Sequence, residues 1–176
     1  MSAPYAISDV FCHRPPRVRG NIRDFKLMVI VAFWKNRVLC WRIVEQGHTV
    51  DGTAFLNFLS DNLYVAIRRR KIRSPFIIMD NARPHFASIV QDYIGQHSWT
   101  LIRQDPYSPD ENPCDFDGIR RLKQPLRGRR FTTEEELREA FLSNAAYISR
   151  HGEFRGIYDL PNQWGKIIEK DGDYVS

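Results

Sequence analysis

The chain is 176 residues long and 43% hydrophobic, enough to bury one sizeable core and most simply read as a single domain. Its net charge of +5 and pI near 9.3 suit an anionic partner. Three widely spaced cysteines, Cys12, Cys40 and Cys114, with no CxxC pair, point to neither a disulfide framework nor a zinc cluster and fit a reducing compartment. With no run of about eighteen apolar residues and no apolar signal segment after Met1, neither a membrane span nor secretion is expected.

Residues 1–25 carry little periodicity and contain Pro15-Pro16 and several arginines, so they read as a poorly structured basic lead-in. From residue 26 to 176 a single α/β domain is expected. Lys26 to Trp34 and Val38 to Val44 are strands, and Lys35-Asn36-Arg37 between them suits a hairpin turn. A helix follows, with Phe55, Leu56, Leu59, Leu63, Val65 and Ile67 approximating one apolar face and Asp51 or Thr53 at its cap. Its basic end, Arg68 to Lys71, complements the helix dipole.

Phe76-Ile77-Ile78-Met79 is too short for a helix and runs into Asp80-Asn81 and then Pro84, which stops extended structure. It reads as a buried strand that delivers one carboxylate to a sheet edge, where open α/β folds place their chemistry. Ala87 to Ile94 reads as a helix closed by Gly95, and Trp99 to Ile102 as a short strand. Asn112 can cap the next helix with Pro113 at its first position, which puts Asp115 in the first turn, where the dipole favours an anion. Thr132-Thr133 followed by three glutamates carries a capping-box signature for a longer helix reaching about Ile148.

Two stretches stand out, Ser74 to His85 (SPFIIMDNARPH) and Tyr107 to Asp117 (YSPDENPCDFD), with thirty-four residues between Asp80 and Asp115. Together they resemble the second- and third-acid motifs of the mariner superfamily of DDE-type transposases, whose catalytic domain has a ribonuclease-H-like fold. Leu126 to Phe131, the Leu160-Pro161-x-x-Trp164 pair and Gly172 to Val175 are similar to the family's carboxyl-terminal pattern. The resemblance covers roughly residues 20 to 176.

It implies a mixed sheet flanked by helices and metal-dependent phosphoryl transfer on DNA, the cleavage and strand transfer of transposition. Asp80 and Asp115 would be catalytic and would hold Mg2+ or Mn2+, two ions if the site is active, because clustered carboxylates repel unless a divalent cation resolves the conflict. The partners implied are DNA and a second copy of the chain, with no membrane or small-molecule substrate, and the location implied for a eukaryotic chain is the nucleus.

The family also has a first acid on its first strand, in an Asp-Glu context, and an amino-terminal helix-turn-helix. Neither is evident here, so the chain reads as truncated with its first strand weak or missing. The candidate for that acid is Asp9 in Tyr5 to Phe11, although Val10 stands where the family has Glu. Two readings follow: a DDE-type endonuclease domain, or a catalytically inactive remnant that keeps the fold and nucleic-acid binding. With two acids secure, the chain alone is expected to give no strand transfer and at best slow, metal-dependent nicking. A strand bearing Asp9 beside the Asp80 strand discriminates between them.

Basic residues form three groups: Arg14 to Arg23, Arg68 to Arg73, and Arg120, Arg121, Lys123, Arg127, Arg129 and Arg130. Each can neutralise backbone phosphates or can be a solvated face. The third flanks Asp115 and is the candidate DNA-binding set. Asp117 competes with Asp115 for the third-acid role, the motif match favouring Asp115. His85 either contacts phosphate or shapes the Asp80 loop.

Overall fold

In the computed structural model the described residues are 27–45, 47–105, 108 and 110–170, together with the backbone of Tyr5–His13. Cys12 as a thiol, the Arg14 to Arg23 group, Tyr107 and the closing Gly172 to Val175 lie outside them. Five strands form one sheet in the order β3-β2-β1-β4-β5: β1 Tyr5–His13, β2 Leu27–Trp34, β3 Arg37–Val44, β4 Phe76–Ile78 and β5 Thr100–Ile102. The first three are antiparallel neighbours, whereas β4 and β5 run parallel to β1.

Over Tyr5–His13 the structure corrects the expectation of a poorly structured lead-in and of a weak or missing first strand, the rest of residues 1–25 lying outside the described ones. Tyr5–His13 is extended and occupies the centre of the sheet. Its register runs from Ala6 opposite Trp34 to His13 opposite Leu27, and on the other side Tyr5, Ala6 and Ile7 pair with Phe76, Ile77 and Ile78. Ladder bonds to β2 along almost all of its length, and to β4 over Tyr5–Ile7, explain why a segment with a weak apolar pattern is nonetheless a strand.

Strand alternation splits the core into two layers. Val29, Val31 and Phe33 of β2, with Ile78, pack beneath the carboxyl-terminal helices. Ile30, Ala32, Ile77 and Met79 face the helices of the middle of the chain. On that second face, α1 Gly52–Phe58, a π-helical segment Leu59–Tyr64 and α2 Val65–Arg69 follow one another. Asp51 caps α1, its Oδ1 accepting from the Ala54 N–H at 2.8 Å. Helix α3, Ser88–Gln96, runs through Gly95 rather than stopping there.

On the first face lie a π-helical segment Cys114–Gly118 continuing into α4 Ile119–Lys123, then α5 Glu134–His151 and α6 Gly156–Glu169. The capping box of α5 forms as the sequence indicates: Thr133 Oγ1 accepts from the Glu136 N–H at 3.2 Å, and Glu136 accepts from Thr132 N–H at 2.7 Å. Gly118 permits the close approach of the Asp115 segment to the sheet, since a Cβ there would stand 2.7 Å from the Phe33 ring. Phe33 in turn stacks on Phe154 at 4.4 Å. Cys40 is a half-buried thiol whose pKa is pushed up to about 12 by the protein around it, which leaves it protonated and inert. Among the described residues, no helix is long and apolar enough to cross a membrane.

Candidate active site

Three elements converge at the end of the sheet where β4 stops. Asp80 stands two residues past β4, and its Oδ1 accepts from the Ala82 N–H at 2.9 Å, the Asx turn its neighbours call for. The same oxygen lies 2.7 Å from Nδ1 of His85, which is also 3.2 Å from the Asp80 carbonyl. The His85 ring is fully buried and stacks on Phe55 with centroids 4.2 Å apart. It therefore shapes the Asp80 loop and does not reach out to a phosphate. Asn81 ties that loop to the end of β5, donating to the Gln104 carbonyl at 3.0 Å.

The third-acid segment is anchored from below. Asn112, 1% exposed, accepts from the Cys114 N–H through Oδ1 at 3.0 Å and donates from Nδ2 to Oδ2 of Asp115 at 3.0 Å. It thus starts the helix and aims the carboxylate. Trp164 of α6 donates to the Glu111 carbonyl at 3.3 Å, giving the tail motif a role in holding this loop.

Asp117 is separated from Asp115 by its environment. It is 5% exposed; Oδ2 accepts from the N–H groups of Arg155 and Gly156 at 2.7 and 2.9 Å, and Oδ1 is bonded by Arg121. Oδ2 fastens the start of α6 and Oδ1 holds Arg121 of α4, so both oxygens are taken up and Asp117 is structural. Asp115 is exposed at the rim.

The electrostatics couple Asp80 to Asp115. Burial pushes the Asp80 carboxyl up, but the His85 hydrogen bond and charge, with the Ala82 N–H, outweigh it and hold the group below its ordinary value. Asp115 moves the other way: the protein mass behind it raises its pKa, and the negative charge of Asp80 raises it further, against Asn112 and Lys123. Two carboxylates that repel across a shared space are a hard-oxygen donor pair suited to a divalent cation. Among the described residues, no group of three His, Cys, Asp or Glu could hold a metal ion.

Ile7 pairs with Ile78, the last residue of β4, so Asp9 on β1 and Asp80 after β4 each follow that pair by two residues. The Cys114–Gly118 segment lies against β1 as well. The three acids named from the sequence therefore sit on adjoining pieces of backbone at one end of the sheet.

Of the candidate DNA-binding residues, Arg120, Arg127, Arg129 and Arg130 are exposed, and Lys123 is half-buried near enough to lower Asp115. Arg121 is not a loose surface charge: Asp117 engages its Nε. Arg129 lies over Phe131 at 5.2 Å. Arg121, Arg129 and Arg130 edge a cleft of about 690 Å3 against α5, whose other wall includes Glu139 and Glu153; neither Asp80 nor Asp115 lines it. That cleft is of mixed charge and stands beside the acids rather than over them.

No protein-family model matches the chain. It is 27% identical over 165 residues to the mariner Mos1 transposase of Drosophila mauritiana, covering 89% of this chain and 47% of that one. To the human histone-lysine N-methyltransferase SETMAR it is 25% identical over 155 residues, 85% of this chain and 22% of the relative. The chain thus spans less than half the length of either. Among solved structures, the catalytic domain of Mos1 mariner transposase superposes with a TM-score of 0.82 at 24% identity, over 97% of this chain and 84% of that one. A pre-cleavage Mos1 transpososome gives 0.87 at 23% identity, over 98% and 57%. The motifs, the sequence relatives and the shared ribonuclease-H-like fold agree: this chain is similar to the catalytic-domain part of mariner transposases.

Proposed function

We propose that this chain is a DDE-type endonuclease domain that cleaves and joins DNA strands in transposition, with Asp9, Asp80 and Asp115 as its acids. The observation that carries the proposal is the position of β1. Asp9 rides on a strand paired with β4 and follows the Ile7–Ile78 pair by two residues, as Asp80 does, and the Asp115 segment packs on the same strand. This arrangement favours the endonuclease over the inactive remnant. The absence of Glu after Asp9 does not remove the carboxylate itself.

The carboxylates would hold Mg2+ or Mn2+ as hard oxygen donors, and the structural neighbours of the family include Mos1 catalytic domains with Mn and with Mg. A divalent cation bound there supplies activation of the attacking oxygen and neutralisation of the leaving one. The chain's own contribution is positioning. His85 takes up Oδ1 of Asp80, while Asn112 steadies Asp115. Arg120, Arg127, Arg129 and Arg130 bind backbone phosphates beside the acids and fix the strand's path. Structural neighbours include a Mos1 paired-end complex with a transposon end, and assembly of this chain as a homodimer on DNA is part of the same proposal.

Plasmid nicking is the test. Supercoiled DNA incubated with the chain and Mg2+ or Mn2+ should be converted to open circles, with no conversion in EDTA or by Asp80→Ala. Nicking that persists in Asp80→Ala would assign the activity to a contaminant and remove the proposal.

A further inference from the structure

The second basic group has no role in the site just described, and the fold carries it to the other end of the sheet. Ala6 pairs with Trp34 on one side and with Ile77 on the other, so Lys35 of the β2–β3 turn and the residues before Phe76 share one end. Asp80 lies four residues beyond Phe76, about 13 Å along the strand direction at roughly 3.3 Å per residue. Lys35, Arg68, Arg69, Arg70, Lys71 and Arg73 gather at that end, and all six are exposed. Among the described residues no ion pair engages any of them. Trp34 draws two of the elements together, with Lys35 Nζ 4.6 Å and the Arg70 guanidinium 5.7 Å from its ring centroid.

Helix capping does not account for the group. The dipole of α2 favours a cation or two in the last turn and fades beyond it, whereas Lys35 belongs to a different element. The backbone adds a second observation. Lys35 and Lys71 have φ of 57° and 56°, two of four non-glycine residues in the left-handed region among the described residues. Glycine would relieve that strain at both turns. A lysine at each keeps the charge at a conformational cost, in a cluster whose members already repel one another.

We infer that this end of the sheet is a second binding surface for the phosphate backbone of duplex DNA, so that one chain grips two separate stretches: one at the acids and one at the opposite end. The inference rests on the endonuclease reading only for the identity of the polyanion. Duplex DNA is the occupant because it presents the regular, dense negative charge that six exposed cations on three elements match. A stretch laid across the Asp80 end meets Arg120 to Arg130 and leaves the opposite end unoccupied.

The experiment is a bridging assay with the full chain in EDTA, using two short duplexes, one bearing an energy-transfer donor and the other the acceptor. Wild type should bring them together. The triple variant Arg68→Glu, Arg70→Glu, Lys71→Glu should still bind one duplex, lose the transfer signal, and show a salt dependence shallower by about 2–3 in log–log slope. Lys71→Gly should raise Tm while weakening binding, a pairing that a purely structural lysine would not give. If the triple variant bridges like wild type with an unchanged slope, or Lys71→Gly raises Tm and leaves binding unchanged, the second surface is refuted and the endonuclease reading stands. If wild type binds no duplex at all, both fall. Reversal that abolishes binding to anionic phospholipid vesicles and leaves duplex binding intact assigns the surface to membranes and overturns the inference.

Discussion

The Nδ1 atom of His85 sits 2.7 Å from Oδ1 of Asp80 and 3.2 Å from the same residue's carbonyl oxygen. One buried ring thus fixes both the side chain and the backbone of the second acid, and spends one carboxylate oxygen while leaving the other. Partners of this kind around a metal site are worth about 10- to 100-fold in affinity or activity. His85→Ala should therefore cut nicking and Mn2+ affinity by a factor in that range. His85→Asn, which retains an N–H near the position of Nδ1, should recover part of both. Equal loss in the two variants, matched by equal loss of Tm, would reduce His85 to a packing residue.

Asp115 and Asp117 are two residues apart and should behave oppositely. Asp117→Ala removes the acceptor for two N–H groups and for Arg121 in a buried setting. It should lower stability by about 3 kcal/mol, as expected when one partner of a buried pair is removed. Asp115→Ala should leave urea unfolding nearly unchanged and abolish nicking. An Asp115→Ala protein as unstable as Asp117→Ala would contradict the division of labour.

The coupled carboxylates give the metal-free protein a signed pH dependence. Asp115 is raised, so the folded state holds its proton longer than the unfolded chain does, and its contribution to stability falls as pH rises from the ordinary carboxyl value through the raised one. Asp80 is lowered, so its contribution is present above the ordinary value and is lost as pH falls through the lowered one. At neutral pH, Asp115→Asn should raise Tm in EDTA because it removes the repulsion. Mg2+ should raise Tm in wild type and not in Asp115→Asn. A lower Tm for Asp115→Asn in EDTA would show that the two charges do not oppose each other.

Gly118 marks where the third-acid segment presses on the sheet. A Cβ there meets the Phe33 ring at 2.7 Å and Phe154 at 3.2 Å, so Gly118→Ala should cost about 1–3 kcal/mol through overpacking. Nicking should fall more than stability does, because the displaced segment carries Asp115. Thermal melts and nicking rates of the same preparation separate the two effects.

The parts of this architecture that were legible in the sequence are those whose signal is local. The β2–β3 hairpin, the Asp80 strand and the capping box of α5 each announce themselves within ten residues or so. Asp51 caps α1, settling an alternative with Thr53 that spacing alone leaves open. The first strand was illegible because its stability comes from two distant neighbours: Ser8, Asp9 and His13 dilute the apolar alternation, and nothing local reveals the ladders to β2 and β4. Helix α6 was hidden by Pro161 and Gly165 inside its span. Asp115 and Asp117 differ only in what surrounds them, a property of packing that the motif match indicates without explaining. The same holds for His85, whose burial against Phe55 is a contact between residues thirty apart.

The central claim is that Asp9 completes a three-acid site. It is tested most directly by Mn2+ binding, followed calorimetrically, with nicking rates in parallel, for wild type and for Asp9→Ala and Asp80→Ala. The account predicts that both substitutions weaken Mn2+ binding and that each abolishes nicking, while Tm in EDTA stays close to that of wild type for Asp9→Ala and falls for Asp80→Ala, which also removes the acceptor for His85 and the Ala82 N–H. Nicking abolished by Asp80→Ala and left at the wild-type rate by Asp9→Ala, with Mn2+ binding unchanged in Asp9→Ala, would contradict it: two acids would then suffice and the first strand would serve the fold alone.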